Sequence, residues 1–125
     1  MTHEVDYLHN FELPSLNSPD KTFYLDSSNT YPAHTCVTDA RPKYIIMAEY
    51  LYSGYGDEFY LRLYDDTTQK EYLMGANYQS STTTPFTEYN PGVISNVSDT
   101  GFSYTRPRGN ASNAKYTYTV LWVYY

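Results

Sequence analysis

Residues 115–125, KYTYTVLWVYY, carry one charge in eleven positions and close on two tyrosines. Alternation places Tyr116, Tyr118, Val120, Trp122 and Tyr124 on one face of a strand, with Thr117, Thr119, Leu121, Val123 and Tyr125 on the other. From Val120 onward both faces are apolar. An open edge of this composition invites unwanted pairing, so the stretch predicts cover on both sides. Two arrangements satisfy that demand. In the first, Leu121, Val123, Tyr124 and Tyr125 meet a neighbouring subunit, and the chain is a homo-oligomer, with a trimer favoured. In the second, residues 120–125 form a central strand covered on both faces within one chain, with the arm over residues 1–20 as a candidate cover.

Working back from this strand, the same period recurs. EFYLRLY (58–64) alternates Phe59, Leu61 and Leu63 with Glu58, Tyr60, Arg62 and Tyr64, which predicts the apolar set inward and the polar set outward. KYIIMAEYLY (43–52) reads as a core strand, its β-branched and aromatic content and the following SGYGD turn outweighing its helix formers. KTFYLD (21–26), AHTCVT (33–38), KEYLMG (70–75), VISNVS (93–98) and GFSYTR (101–106) are further strands, bounded by Gly, Pro, Asn and Asp. Seven or eight strands at this spacing predict an all-β fold, an antiparallel β-sandwich that is jelly-roll-like or immunoglobulin-like. Its expected core is Ile46, Phe59, Leu61, Leu63, Phe102, Val120 and Trp122. Residues 1–20 lack periodicity and read as an extended arm before a single domain over 21–125. Residues 76–92, ANYQSSTTTPFTEYNPG, have loop composition, and a loop of that length is often functional.

Composition agrees with sheet. The 125 residues include 17 Tyr, five Phe and one Trp, and Ser, Thr and Asn supply 34 more. Tyr and Thr favour pleated, half-buried surfaces, and Tyr also suits interfaces. A net charge of −6 with eight Lys and Arg argues against a phosphate-binding surface, so no nucleic acid is expected. The N-terminal stretch MTHEVDYLHNFELP lacks the apolar core of a signal peptide, and no segment approaches the 18 apolar residues of a membrane span. Neither export through a leader nor membrane insertion is expected. One cysteine, Cys36, excludes an intrachain disulfide.

Catalytic and metal-binding patterns are sparse. His3 and His9 stand six apart in the lead-in, without metal-ligand spacing. His34 and Cys36 would point the same way on a strand, and a small thiol beside a polar neighbour is the simpler reading. Asp57 and Glu58 stand at one end of a predicted strand, Asp65 and Asp66 at the other. Glycosidase carboxylates work roughly 5 to 9 Å apart, whereas a straight strand separates Asp57 from Asp66 by roughly 30 Å. These acids read as turn residues. GYG at 54–56 lacks the helix and lysine of a phosphate loop, and the N-X-S triplets at 96–98 and 110–112 carry no weight without export. The expectation is no enzyme, no metal and no cofactor. Tyr52, Tyr55, Tyr78 and Tyr89 fall in turns or loops and are the candidate sugar contacts, because aromatic rings stack on sugar faces while nearby Asn, Asp and Arg supply hydrogen bonds.

PKYIIMAEYLYSGYGDEFYLRLYDDTTQKEYL (42–73) and DTGFSYTRPRGNASNAKYTYTVLWVY (99–124) resemble small all-β modules of tailed-bacteriophage virions: receptor-binding tail-fibre tips, appendage proteins and head fibres. The shared pattern is an apolar strand, a Gly-rich turn and a second strand, then Asp99–Thr100–Gly101–Phe102 before a loop and a Tyr-rich closing strand. The resemblance implies a non-enzymatic virion structural or assembly protein that contributes to host-surface recognition. It further implies homotrimers, contact with other virion proteins, a host-surface glycan as ligand, and release by lysis without a leader. A carbohydrate-binding module of other origin and an intracellular protein-interaction domain are the alternatives that composition leaves open.

Overall fold

A computed structural model of the chain describes residues 18–27, 33–52, 57–79, 92–105 and 116–125. Their elements are β1 (Lys21–Ser27), β2 (Ala33–Val37), β3 (Tyr44–Tyr52), β4 (Asp57–Asp65), β5 (Lys70–Gln79), β6 (Val93–Ser98), β7 (Gly101–Thr105) and β8 (Tyr116–Tyr124). All pair antiparallel, in a five-stranded sheet of order β1-β8-β3-β4-β5 and a three-stranded sheet of order β2-β7-β6. The fold is an all-β sandwich. The immunoglobulin order sets the first two strands side by side; here β1 pairs with β8 and β2 with β7, a jelly-roll-like nesting of the terminal strands around the β3-β4-β5 meander. Strand β5 runs four residues beyond its expected end at Gly75, taking Ala76 to Gln79 from the expected loop.

The closing stretch that opened the sequence question becomes a central strand. Strand β8 lies between β1 and β3, so both of its edges are paired. Leu121 and Val123 point between the sheets and are fully buried, where they meet Ile45, Met47, Tyr64, Cys36, Ile94, Phe102 and Tyr104. Tyr124, on the opposite face, is buried with Tyr44, Ile46 and Leu63. The chain also ties down its last residues. Asp39 N–H donates to the Tyr125 hydroxyl (3.0 Å), Tyr125 N–H to Asp20 Oδ2 (2.7 Å) and Asp20 N–H to the Val123 carbonyl (2.8 Å).

The facing of β4 reverses the expectation. Glu58, Tyr60, Arg62 and Tyr64 are buried, while Phe59 and Leu61 are 38% and 39% exposed. Ion pairing makes this inversion tolerable. The Arg62 guanidinium donates from Nε and Nη2 to the two carboxylate oxygens of Glu49 (2.7 and 2.9 Å), from Nη1 to Glu71 (2.5 Å), and from Nη2 to the Gly92 carbonyl (2.5 Å). Buried charges of this kind persist only when paired and hydrogen-bonded. The Tyr104 hydroxyl donates to Glu49 Oε2 (2.5 Å), and burial together with that carboxylate's charge pushes the phenol well above its ordinary range. Gly92 leaves the room this cluster needs, since a Cβ there would stand 2.5 Å from the Tyr104 hydroxyl and 2.6 Å from Glu49 Oε2. On the same inner face, the Tyr60 hydroxyl donates to Glu58 (2.7 Å).

Of the expected core residues, Phe102 alone sits in the cluster between the sheets. Ile46, Leu63 and Trp122 belong to the second apolar cluster, on the outer face of the five-stranded sheet, and Val120 is half-buried there. The stretch Asp99–Thr100–Gly101–Phe102 makes the tight β6–β7 turn. Gly101 adopts φ +145°, and a Cβ there would meet the Cys36 carbonyl oxygen of β2 at 2.1 Å. Only glycine fits that approach.

Candidate binding face

The two outer faces of the sandwich differ in chemistry. On the three-stranded sheet the outward positions are mixed and carry no ring: Thr35, Ser95, Ser103 and Thr105 share the face with Ala33 and with the exposed aliphatic side chains of Val37 and Val93. At the centre of the five-stranded sheet the outward positions are mainly apolar and aromatic, with Asn77 and Asp57 toward the rim. Strand register lines them up in rows that cross the strands. Tyr118 (β8), Tyr50 (β3), Phe59 (β4) and Asn77 (β5) form one row, and Val120, Ala48, Leu61 and Gly75 form the next. Beyond these, Trp122, Ile46 and Leu63 form a third, more buried row.

Side-chain size turns these rows into a groove. Ala48 and Gly75 leave a low floor in the second row, with the rings of the first row rising on one side. The resulting open cavity, of about 450 Å³, is lined by Ala48, Tyr50, Phe59, Leu61, Gly75 and Tyr118 among others. Such a volume is typical of ligand-binding clefts. The rings are held in place: Tyr50 and Phe59 lie with centroids 5.0 Å apart at 39°, and the Tyr50 hydroxyl donates to Asp57 Oδ1 (2.7 Å). Tyr118 is 41% exposed and Asn77 is exposed, so the row carries a hydroxyl at one end and an amide at the other. Among the described residues, no Lys or Arg lines the groove.

A β-bulge tunes the β5 wall. Leu61 pairs with Gly75, but the next residue, Arg62, pairs with Leu73, so Met74 is the extra residue. Bulges re-aim side chains near functional surfaces; here Met74 packs against the second apolar cluster.

The sequence-derived sites fall as follows. Tyr52 ends β3 in register with Asp57 and Tyr116, one row beyond the Tyr118–Tyr50–Phe59–Asn77 row. Tyr78 pairs with Glu58, whose row is the inward one. The side chains of Tyr52 and Tyr78, and the whole of Tyr55 and Tyr89, lie outside the described residues. For the expected interface, Leu121, Val123 and Tyr124 are core residues of their own chain and Tyr125 is bonded within it. At these positions β8 is covered within one chain. His34 and Cys36 share one face of β2, as expected. Cys36 is buried, and desolvation pushes its thiol up to about 11, in spite of the nearby Lys21 charge that pulls it down. Among the described residues, no three His, Cys, Asp or Glu side chains converge as a metal site.

Sequence reasoning missed Tyr50, Phe59, Asn77 and Tyr118 because they are contiguous only through register. No protein-family model, curated protein or solved structure matches the chain, so the geometry of this face carries the functional reading.

Proposed function

We propose that this protein is a non-enzymatic recognition and assembly module, a virion component of the kind the tailed-phage resemblance implies, that meets its target through the outer face of the five-stranded sheet. The observation that supports this reading is an exposed aromatic groove on the outer face of one sheet, where the outer face of the other carries only small polar and aliphatic side chains. A sandwich that only needed solubility would not line an open groove with rings. The charged groups at the centre of the molecule support a non-enzymatic role as well. Glu49 and Arg62 are buried and bonded to each other, with Tyr104 closing over Glu49, an arrangement suited to holding sheets together rather than reaching a substrate.

The test is a charge scan of the two faces. Labelled protein is sedimented with bacterial envelope preparations, comparing Leu61→Asp and Tyr118→Asp with Thr35→Asp and Thr105→Asp. Loss confined to the first pair is the expected result. Binding lost only with the second pair, or envelope polysaccharide cleaved by the protein, would overturn the reading.

A further inference from the structure

Resting on that reading, we propose that the groove binds a neutral oligosaccharide laid across the strands, with the apolar face of one sugar ring stacked on Tyr50 and Phe59. Three features of the site select this class. Size comes first. Phe59, Leu61 and Tyr118 are each about two-fifths exposed, and Tyr24, one strand over on the same face, is 69% exposed. With large aromatic side chains offering 150–250 Å² when fully exposed, the four together present on the order of 400 Å². A stable protein interface needs about 800 Å² per partner, about twice what these four side chains offer, whereas the groove volume suits a short ligand.

Chemistry comes second. The middle of the aromatic row is rings without free polar atoms at their faces, while its ends carry the exposed Asn77 amide and the Tyr118 hydroxyl. A sugar ring has the complementary layout: C–H bonds on its face and hydroxyls around its rim. Three strand spacings separate Tyr118 from Asn77, roughly 14 Å, enough for more than one sugar unit. Charge comes third. Among the described residues the groove has no cation, Asp57 stands beside Tyr50, and the chain carries −6 overall. Acidic glycans and phosphates would meet repulsion there.

Gly75 makes the inference testable without touching the core. It is exposed, and a Cβ built on it has no atom within 4 Å, so Gly75→Val fills the groove floor with a good strand former. The full chain and its variants are titrated calorimetrically against neutral di- to hexasaccharides of glucose, mannose, galactose and N-acetylglucosamine, with uronic-acid oligomers as the charged arm. Saturable binding of at least one neutral series is expected, weakened at least about tenfold by Gly75→Val and by Phe59→Ala, and several-fold by Asn77→Ala. Circular dichroism of each variant should match the parent, and Thr35→Ala on the outer face of the three-stranded sheet should leave affinity unchanged. If Gly75→Val folds poorly, Asn77→Ala, an exposed edge-strand change, decides the matter. Absence of binding to every neutral series, tighter binding of the uronic acids, or affinity indifferent to the groove variants overturns the proposal. The envelope assay separates the two failures. Envelope binding lost with Gly75→Val but without any sugar binding removes the glycan and keeps the outer face; envelope binding retained by both Gly75→Val and Phe59→Ala removes both.

Discussion

Replacing Arg62 with methionine probes the inverted β4 strand directly. Methionine keeps much of the side-chain volume but removes every donor. Glu49, whose side chain is 0% exposed, then loses both guanidinium bonds and retains the Tyr104 hydroxyl among the bonds described. Glu71 and the Gly92 carbonyl each lose a partner too. Removing one member of a buried ion pair costs about 3–5 kcal/mol, because the other charge is left uncompensated. Domains of this size have about 5–15 kcal/mol in total, so the variant should be folded but much weakened. With a urea slope of about 2 kcal/mol/M, the unfolding midpoint should fall by about 2 M. The double variant Glu49→Leu with Arg62→Met removes the charge on both sides and should recover part of the loss, so the two single costs should exceed the double cost. A midpoint for Arg62→Met within about 0.3 M of the parent, or single costs that simply add, would refute the claim that this pair makes the inversion tolerable.

Gly101→Ala should destabilise the protein by about 1–3 kcal/mol, read from the same urea curves, because the new methyl combines a left-handed-side φ with a clash against the β2 backbone. Cys36 should resist thiol reagents at pH 8 in the folded protein and react fully in urea. Titrating near 11 instead of 9.0 lowers its thiolate fraction about hundredfold before burial is considered. Asp66 is held below its ordinary carboxyl value of 3.8, first by the Arg41 guanidinium that bonds it and then by the Tyr64 hydroxyl. A carboxyl depressed in the folded state contributes stability that is present above its unfolded value and lost as pH falls through the folded one. The stability gap between parent and Arg41→Ala should therefore be open at pH 6 and close as pH drops below about 4, measured by urea midpoints across that range.

The strands were legible because period-2 patterning and turn residues are local. All eight appear in the sequence at or near their observed bounds, and Gly101 announces its turn. Facing was not legible for β4. Alternation separates Phe59, Leu61 and Leu63 from Glu58, Tyr60, Arg62 and Tyr64, but which set faces the second sheet depends on neighbours. Hydropathy favours the first set, and only the knowledge that Glu49 and Glu71 arrive on the two flanking strands to bond Arg62 reverses that choice. The groove was hidden for a related reason. Tyr50, Phe59, Asn77 and Tyr118 come from four strands spread over 69 positions, counting from 50 to 118 inclusive, and only pairing register makes them a row. Among the described tyrosines proposed as sugar contacts from loop composition, Tyr52 stands two residues along β3 from Tyr50, one row beyond that row.

The seating of β8 between β1 and β3 has a kinetic consequence. The bond from Tyr125 to Asp20 joins residues 105 positions apart, and the strand it terminates fills the centre of its sheet. Contacts of such separation slow folding, because a long loop must close before any of them forms. During synthesis β1 to β5 emerge ahead of β8, so the β3-β4-β5 meander stands with the inner edge of β3 unpaired until β8 arrives. Until residues 116–124 leave the ribosome, that edge is a template for any strand that reaches it. The nascent chain is thus most vulnerable to mispairing late in its synthesis, and slower translation across the β7–β8 segment should raise the yield of aggregate rather than of folded protein.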